Sequence, residues 1–135
     1  MGGGKRVLWG AAWLAAILLP TAAAAGGGAA PLRVDVAEWS IVPSAGVVRA
    51  GDVALTVRNV GDEPHQVAVV RSLRFASPLP LRGDHASVRP LASTIVPPGE
   101  SRTLVVRLRP GSYTLLDNLP WNYWKGTWVA IAVRS

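Results

Sequence analysis

Tyr113-Thr-Leu-Leu-Asp117-Asn-Leu-Pro-Trp-Asn122-Tyr-Trp-Lys-Gly-Thr127-Trp-Val-Ala-Ile-Ala-Val133 reads as a strand, a tight loop rich in proline and aromatic side chains, and a second strand. Tyr113, Leu115 and Asp117 share one parity on the first arm; Thr127, Val129, Ile131 and Val133 share one on the second. Side chains alternate strictly along a strand, so Asp117 and Thr127 point to the same side as the apolar positions. His65 stands in the same relation to Val67 and Val69 in another short strand. The three are therefore expected to meet at one end of a β-sandwich, with Asn122 reaching back from the loop. An inward carboxylate is costly unless paired or liganded, so Asp117 needs a partner.

The rest of the chain supplies the other strands. Arg33 to Ile41 carries Val34 and Val36 on one parity and Trp39 and Ile41 on the other, which suggests a bulge or a strand serving two sheets. Gly46 to Arg49 is a short strand and Ala50-Gly51-Asp52 a turn. Val53 to Asn59 alternates cleanly, with Val53, Leu55 and Val57 inward. Val60-Gly61-Asp62-Glu63-Pro64 turns the chain into His65 to Val70. Arg71 to Ser93 shows no sustained period and reads as a long surface loop with room for one helical turn. Thr94 to Val96, Arg102 to Arg109, Ser112 to Asp117 and Thr127 to Val133 complete the set. Seven to eight short strands with turns at short intervals predict an all-β, Greek-key sandwich over 33–135.

Within this frame the loop resembles that of a cupredoxin, the plastocyanin- and azurin-like blue copper family. Members with such a loop read Tyr-x-x-x-Cys-Asn-x-Pro-Gly-His-Tyr-x-x-Gly-Met before the last strand. Tyr113, Asn118, Pro120, Tyr123 and Gly126 stand in register with that pattern. Trp39, the turn at 50–52, Asn59-Val-Gly61 ahead of His65, the segment 98–101 and Pro110-Gly111-Ser-Tyr113 extend the resemblance over almost all of the domain. It implies a cupredoxin-type sandwich, and taken at face value it implies copper-dependent electron transfer.

Of the four ligand positions that the resemblance implies, only His65 keeps its residue type; Asp117 stands for Cys, Asn122 for His and Thr127 for Met. A blue copper site needs a short copper–thiolate bond, two imidazoles and a weak axial ligand. The chain has no cysteine, so that centre cannot form. Two readings of the site remain. In one, His65, Asp117, the Asn122 amide oxygen and the Thr127 hydroxyl make an altered N,O site for Cu(II), for copper handling. In the other no metal is bound: His65 and Asp117 form an internal hydrogen-bonded pair, completed by Asn122 and Thr127. Asp117 beside His65 favours the imidazolium, so the pair is a candidate for a response to pH.

Trp121, Tyr123, Trp124 and Trp128 crowd the loop. As surface rings they would form an interaction patch for a protein partner, a glycan or the membrane surface. As interior rings they would fill the space of the missing metal. Lys125 beside Trp124 is placed for a cation–π contact. His85 lies in the long loop and reads as solvated, and Arg71, Arg74, Arg82 and Arg89 give that loop basic character.

Residues 1–25 have the pattern of a signal peptide, with Lys5 and Arg6, an apolar run from Val7 to Leu19 and the small-residue stretch Thr21 to Ala25. An uncleaved membrane anchor is the alternative, although the run is shorter than the ~20 residues of a spanning helix. Residues 26–32 read as a flexible tether. The chain is therefore expected outside the cytoplasm, with an envelope or extracellular protein partner. Of 14 Lys and Arg, setting aside Lys5 and Arg6 leaves 12 against 8 acidic residues, a net +4 scattered along the domain. Scattered charge does not make a nucleic-acid footprint. No nucleophile–base set, phosphate loop or acid–base pair with supporting motif is present, which argues against an enzyme.

Overall fold

A computed structural model of the chain describes residues 28–135; the segment read as a signal peptide lies outside them. Among the described residues eleven strands run in chain order as β1 (Ala30–Ala37), β2 (Ser40–Pro43), β3 (Val47–Arg49), β4 (Gly51–Asn59), β5 (His65–Ser72), β6 (Leu81–Arg82), β7 (His85–Ala86), β8 (Ala92–Val96), β9 (Ser101–Leu108), β10 (Gly111–Leu116) and β11 (Trp128–Arg134). They form a four-stranded sheet β2-β1-β4-β9, a five-stranded sheet β3-β11-β10-β5-β8 and the small hairpin β6-β7. The two large sheets face each other as the expected sandwich, and the chain passes repeatedly from one to the other. Among the described residues no helix is long and apolar enough to cross a membrane.

The interior follows the alternation read from the sequence. Val34 and Val36 of β1, Val53, Leu55 and Val57 of β4, Val67 and Val69 of β5, and Tyr113 and Leu115 of β10 are fully buried between the sheets. Each such side chain contributes about 1.5–3 kcal/mol by leaving water. The Tyr113 hydroxyl donates to the Arg109 carbonyl at 2.8 Å and accepts from the Arg109 N–H at 3.1 Å, so the large ring keeps its polar atom satisfied. At Ala50 the chain leaves β3 and enters β4 of the other sheet. Gly51 makes that corner at φ +125°, where a side chain would be strained.

Several expectations are corrected. The parity change at Trp39 is neither a bulge nor a shared strand. β1 and β2 are separate strands of a hairpin, paired Ala37 to Ser40, and Glu38-Trp39 is its two-residue turn. Trp39 takes φ +62°, which reverses the chain and resets the parity. The tether is shorter than 26–32, because Ala30 to Leu32 already pair in parallel with Val53 to Leu55 of β4 and Leu32 is buried.

The stretch 71–93 is not a loose surface loop and holds no helical turn. β5 continues to Ser72, β6 and β7 form a hairpin about Gly83-Asp84, and β8 starts at Ala92. This segment covers the outer face of the five-stranded sheet. Ala68, Val70 and Leu116 on that face pack against Ala86, Leu79 and Val88 of the cover and against Tyr123 and Trp128. Asn118 holds the cover down as a backbone would. Its Oδ1 accepts from the Ala86 N–H at 2.7 Å and its Nδ2 donates to the Ala86 carbonyl at 3.0 Å.

Because this second core is real, Leu116→Ala is expected to cost about 2–5 kcal/mol, as a buried leucine does. The comparison is with Leu115→Ala between the sheets, by urea denaturation. A loss below about 0.5 kcal/mol, typical of surface positions, would mean that the segment does not cover the sheet.

Candidate functional site

Register brings His65, Asp117 and Thr127 together as expected. Asp117 follows β10, Thr127 precedes β11, and the Asp117 N–H donates to the Thr127 carbonyl at 3.0 Å, which extends the ladder by one rung. His65 opens β5, the other neighbour of β10. All three are buried. The loop between Asp117 and Thr127 is wound tightly: Asn122 N–H donates to Leu119 O, Lys125 N–H to Trp121 O and Thr127 N–H to Asn122 O. Trp121 at φ +69° and Gly126 at φ +98° make the winding possible.

Asp117 is the hub of the site. Its Oδ2 lies 2.6 Å from His65 Nδ1 and accepts from Asn122 Nδ2 at 2.8 Å; its Oδ1 accepts from the Leu119 N–H at 3.0 Å. The carboxylate thus has the partners its burial demands. The other His65 nitrogen, Nε2, lies 3.1 Å from Glu38 Oε1. Each ring nitrogen of His65 thus faces a carboxyl oxygen, and the three side chains form a hydrogen-bonded row.

Glu38 was not recognised from the sequence. It sits in the β1–β2 turn, and only the parallel pairing of β1 with β4 brings that turn beside the 60–64 turn. Asn59 shapes the latter turn, donating to Glu63 O at 2.6 Å and Val96 O at 2.8 Å and accepting from the Gly61 N–H at 2.8 Å. The Asp62 and Glu63 N–H groups then donate to Glu38 Oε1 at 2.9 and 3.0 Å. Gly61 leaves the space: a Cβ there would lie 2.5 Å from Glu38 Oε2. The Glu38 carboxyl is drawn from its ordinary 4.5 down to about 2. Its own backbone N–H is the largest cause and the His65 ring the second; the Glu63 and Asp62 amides add to them, and desolvation opposes.

Two expected donors behave differently. Asn122 turns its NH2, not its oxygen, toward the site. Thr127 contributes its backbone, and its buried hydroxyl has no partner among the described residues. These residues do not fit a copper ion. Two ligands about 2.0–2.2 Å from a tetrahedral metal stand more than about 3 Å apart, whereas His65 Nδ1 and Asp117 Oδ2 are in direct hydrogen-bond contact. Glu38 and Asp117 lie on opposite sides of the ring, and no group of three His, Cys, Asp or Glu among the described residues is placed to hold a metal.

The four loop rings divide. Tyr123 is buried, its hydroxyl accepting from the Leu79 N–H at 2.7 Å, and Trp128 packs beside it with centroids 6.2 Å apart. These two belong to the second core and not to a patch. Trp121 and Trp124 are 53% and 63% exposed and meet edge to face at 6.3 Å. Trp39 joins this end from the β1–β2 turn: Lys125 Nζ lies 4.1 Å from its ring centroid, so the cation–π contact is with Trp39 and not with Trp124. His85 stays exposed beside Asp84 and does not approach the site. Arg71 is drawn to Pro110 O and the Tyr113 ring, which removes it from any basic face.

Two outcomes follow from this geometry. His65→Leu is expected to lower stability by about 3–5 kcal/mol, because it strands a buried carboxylate. Most of that loss should return in the His65→Leu, Asp117→Leu double variant, measured by urea denaturation. A double variant no better than the single one would show that Asp117 is not held by His65. Glu38, with its lowered pKa, adds stability that is complete above pH 4.5 and disappears as pH falls toward 2. Glu38→Gln should therefore flatten the stability–pH curve in that window; superimposable curves would remove Glu38 from the network.

No protein-family model matches the chain, and no curated protein matches it by sequence. Solved structures match it in fold. Dithionite-reduced auracyanin from the photosynthetic bacterium Roseiflexus castenholzii superposes with TM-score 0.58 at 19% identity, over 80% of this chain and 100% of that one. Auracyanin B gives TM-score 0.59 at 18% identity, over 79% and 90%. Rusticyanin from Thiobacillus ferrooxidans gives 0.61 at 15% identity, over 80% of each chain. Auracyanin and rusticyanin are cupredoxins, and at these identities the likeness is one of fold. Residues 28–135 are thus a cupredoxin-like sandwich, and the chain has no cysteine.

Proposed function

We propose that the chain is an exported, non-redox interaction module that presents the ring-bearing end of the sandwich to a protein partner outside the cytoplasm. The observation that carries this reading is the exposure of Trp39, Trp121 and Trp124 at the end closed by the Glu38–His65–Asp117 row. Tryptophan is a favoured interface anchor. The two exposed loop rings stand on a segment whose backbone and carboxylate hydrogen bonds are already made, so little ordering is left for binding to impose. Catalysis has no support in the same residues, since both nitrogens of His65 are occupied.

Export rests on the signal-like pattern of residues 1–25. A membrane surface is the other boundary at which tryptophan anchors. Strand direction favours a protein. β1 starts at Ala30 and reaches the ring end only at Ala37, a rise of about 23 Å, so Ala30 lies at the opposite end.

Copper handling at His65 and Asp117 is the competing reading, and titration with Cu(II) separates the two. Calorimetry and electron paramagnetic resonance are expected to find no one-to-one site that depends on His65, with no intense visible band and no reversible one-electron wave. Tight stoichiometric binding abolished by His65→Ala would establish copper handling instead. The partner arm uses Trp121→Ala with Trp124→Ala in pull-downs from the native envelope, alongside sedimentation with phospholipid vesicles. Loss of a specific protein is expected; unchanged recovery, or loss of vesicle binding alone, would overturn the protein-docking reading.

A further inference from the structure

A second recess lies away from the ring end, where the segment after β5 folds across the outer face of the five-stranded sheet. It is a cleft of about 250 Å³ whose floor and walls include Val70, Leu79, Pro80 and Val88. Ser72 lies within it, 8% exposed, and its hydroxyl has no hydrogen-bond partner among the described residues. A buried hydroxyl without a partner costs free energy unless something in the space beside it completes the bond.

Three further observations describe what would complete it. The lining is mostly apolar, the usual character of a small-molecule site, where a few polar groups fix the ligand's orientation. Leu73 is fully exposed at the edge of the cleft, with exposed Phe75 two residues on. Apolar area thus stands uncovered beside the opening. The charge at the cleft is positive. Arg71 is committed to Pro110 O and Tyr113, which leaves Arg89 as the lining cation with no ion pair among the described residues. The cleft of about 380 Å³ on the outer face of the other sheet, lined by Arg33, Asp35, Thr56 and Arg58, shows no such buried, unpartnered group.

We propose that this cleft binds a small amphipathic anion, with its apolar body against Val70, Leu79 and Val88 and its carboxylate, or a similarly charged head, at the Ser72 hydroxyl and Arg89. The apolar lining supplies affinity and the hydroxyl with the guanidinium supplies orientation. Since the cleft is separate from Trp39, Trp121 and Trp124, the inference stands independently of the partner-docking reading.

Octanoate is the test ligand, with octanol as its neutral counterpart, and amide and indole resonances are followed by NMR. Saturable shifts are expected at Ser72, Leu79 and Val88, with octanol binding more weakly than octanoate. Ser72→Ala and Arg89→Glu should each weaken octanoate by about tenfold, the value of one hydrogen bond to a charged group, with cooperative unfolding retained. Val88→Trp, which fills the cleft, should abolish the shifts. Shifts confined to the Trp121 and Trp124 indoles, failure to saturate, equal binding of octanol, or indifference to Arg89→Glu would each overturn the proposal.

Discussion

The hydrogen bond between His65 Nδ1 and Asp117 Oδ2 closes one end of the sandwich, and the geometry of that end depends on it. A carboxylate with no access to water must be met by donors from every side. His65 meets it from β5, Asn122 from the loop and the Leu119 amide from the loop's first turn. Those demands hold the loop in one winding, with Tyr123 turned into the second core and Trp121 and Trp124 turned out. Glu38, on the far nitrogen of the same ring, ties the β1–β2 turn and its Trp39 to the same end.

Such a buried polar row contributes more to arrangement than to stability. Removing two ions from water costs several kcal/mol each, and their attraction repays this only when the remaining hydrogen bonds are complete. Most of the stabilisation comes instead from the two apolar clusters, one between the sheets and one beneath the segment after β5. The His65 ring stands between the Asp117 and Glu38 carboxyl groups and hydrogen-bonds to both. Without a thiolate the cupredoxin-like scaffold cannot form a blue copper centre, and the buried Asp117 is held by hydrogen bonds from His65, Asn122 and Leu119.

The second apolar cluster explains why the loop after β5 is orderly. Val67 to Val70 is an uninterrupted apolar run, and Leu115-Leu116 places leucine on both parities of β10. Both signal strands buried on two faces. The segment that covers the outer face has no period of its own, because it pairs mainly through its own short hairpin and through the Asn118 amide. Its aromatic contact, Tyr123, comes from the ring loop, so the covering segment and the site loop are packed against each other.

Alternation along β4, β5, β10 and β11, the turn residues and the absence of cysteine determined, from sequence alone, a β-sandwich with His65, Asp117 and Thr127 turned inward and no blue copper centre. Those properties are local: they follow from the period of a strand and from which atoms the side chains contain. Tertiary structure alone decided the rest. Glu38 reaches His65 because β1 and β4 pair in parallel, and nothing within the hairpin 30–43 reports that pairing. The loop rings divided between core and solvent according to the free face of β10, and Lys125 settled on Trp39 from a turn more than eighty residues earlier in the chain. Contacts between segments distant in sequence depend on how the sheets close in space, and a strand's own pattern carries no record of its neighbour.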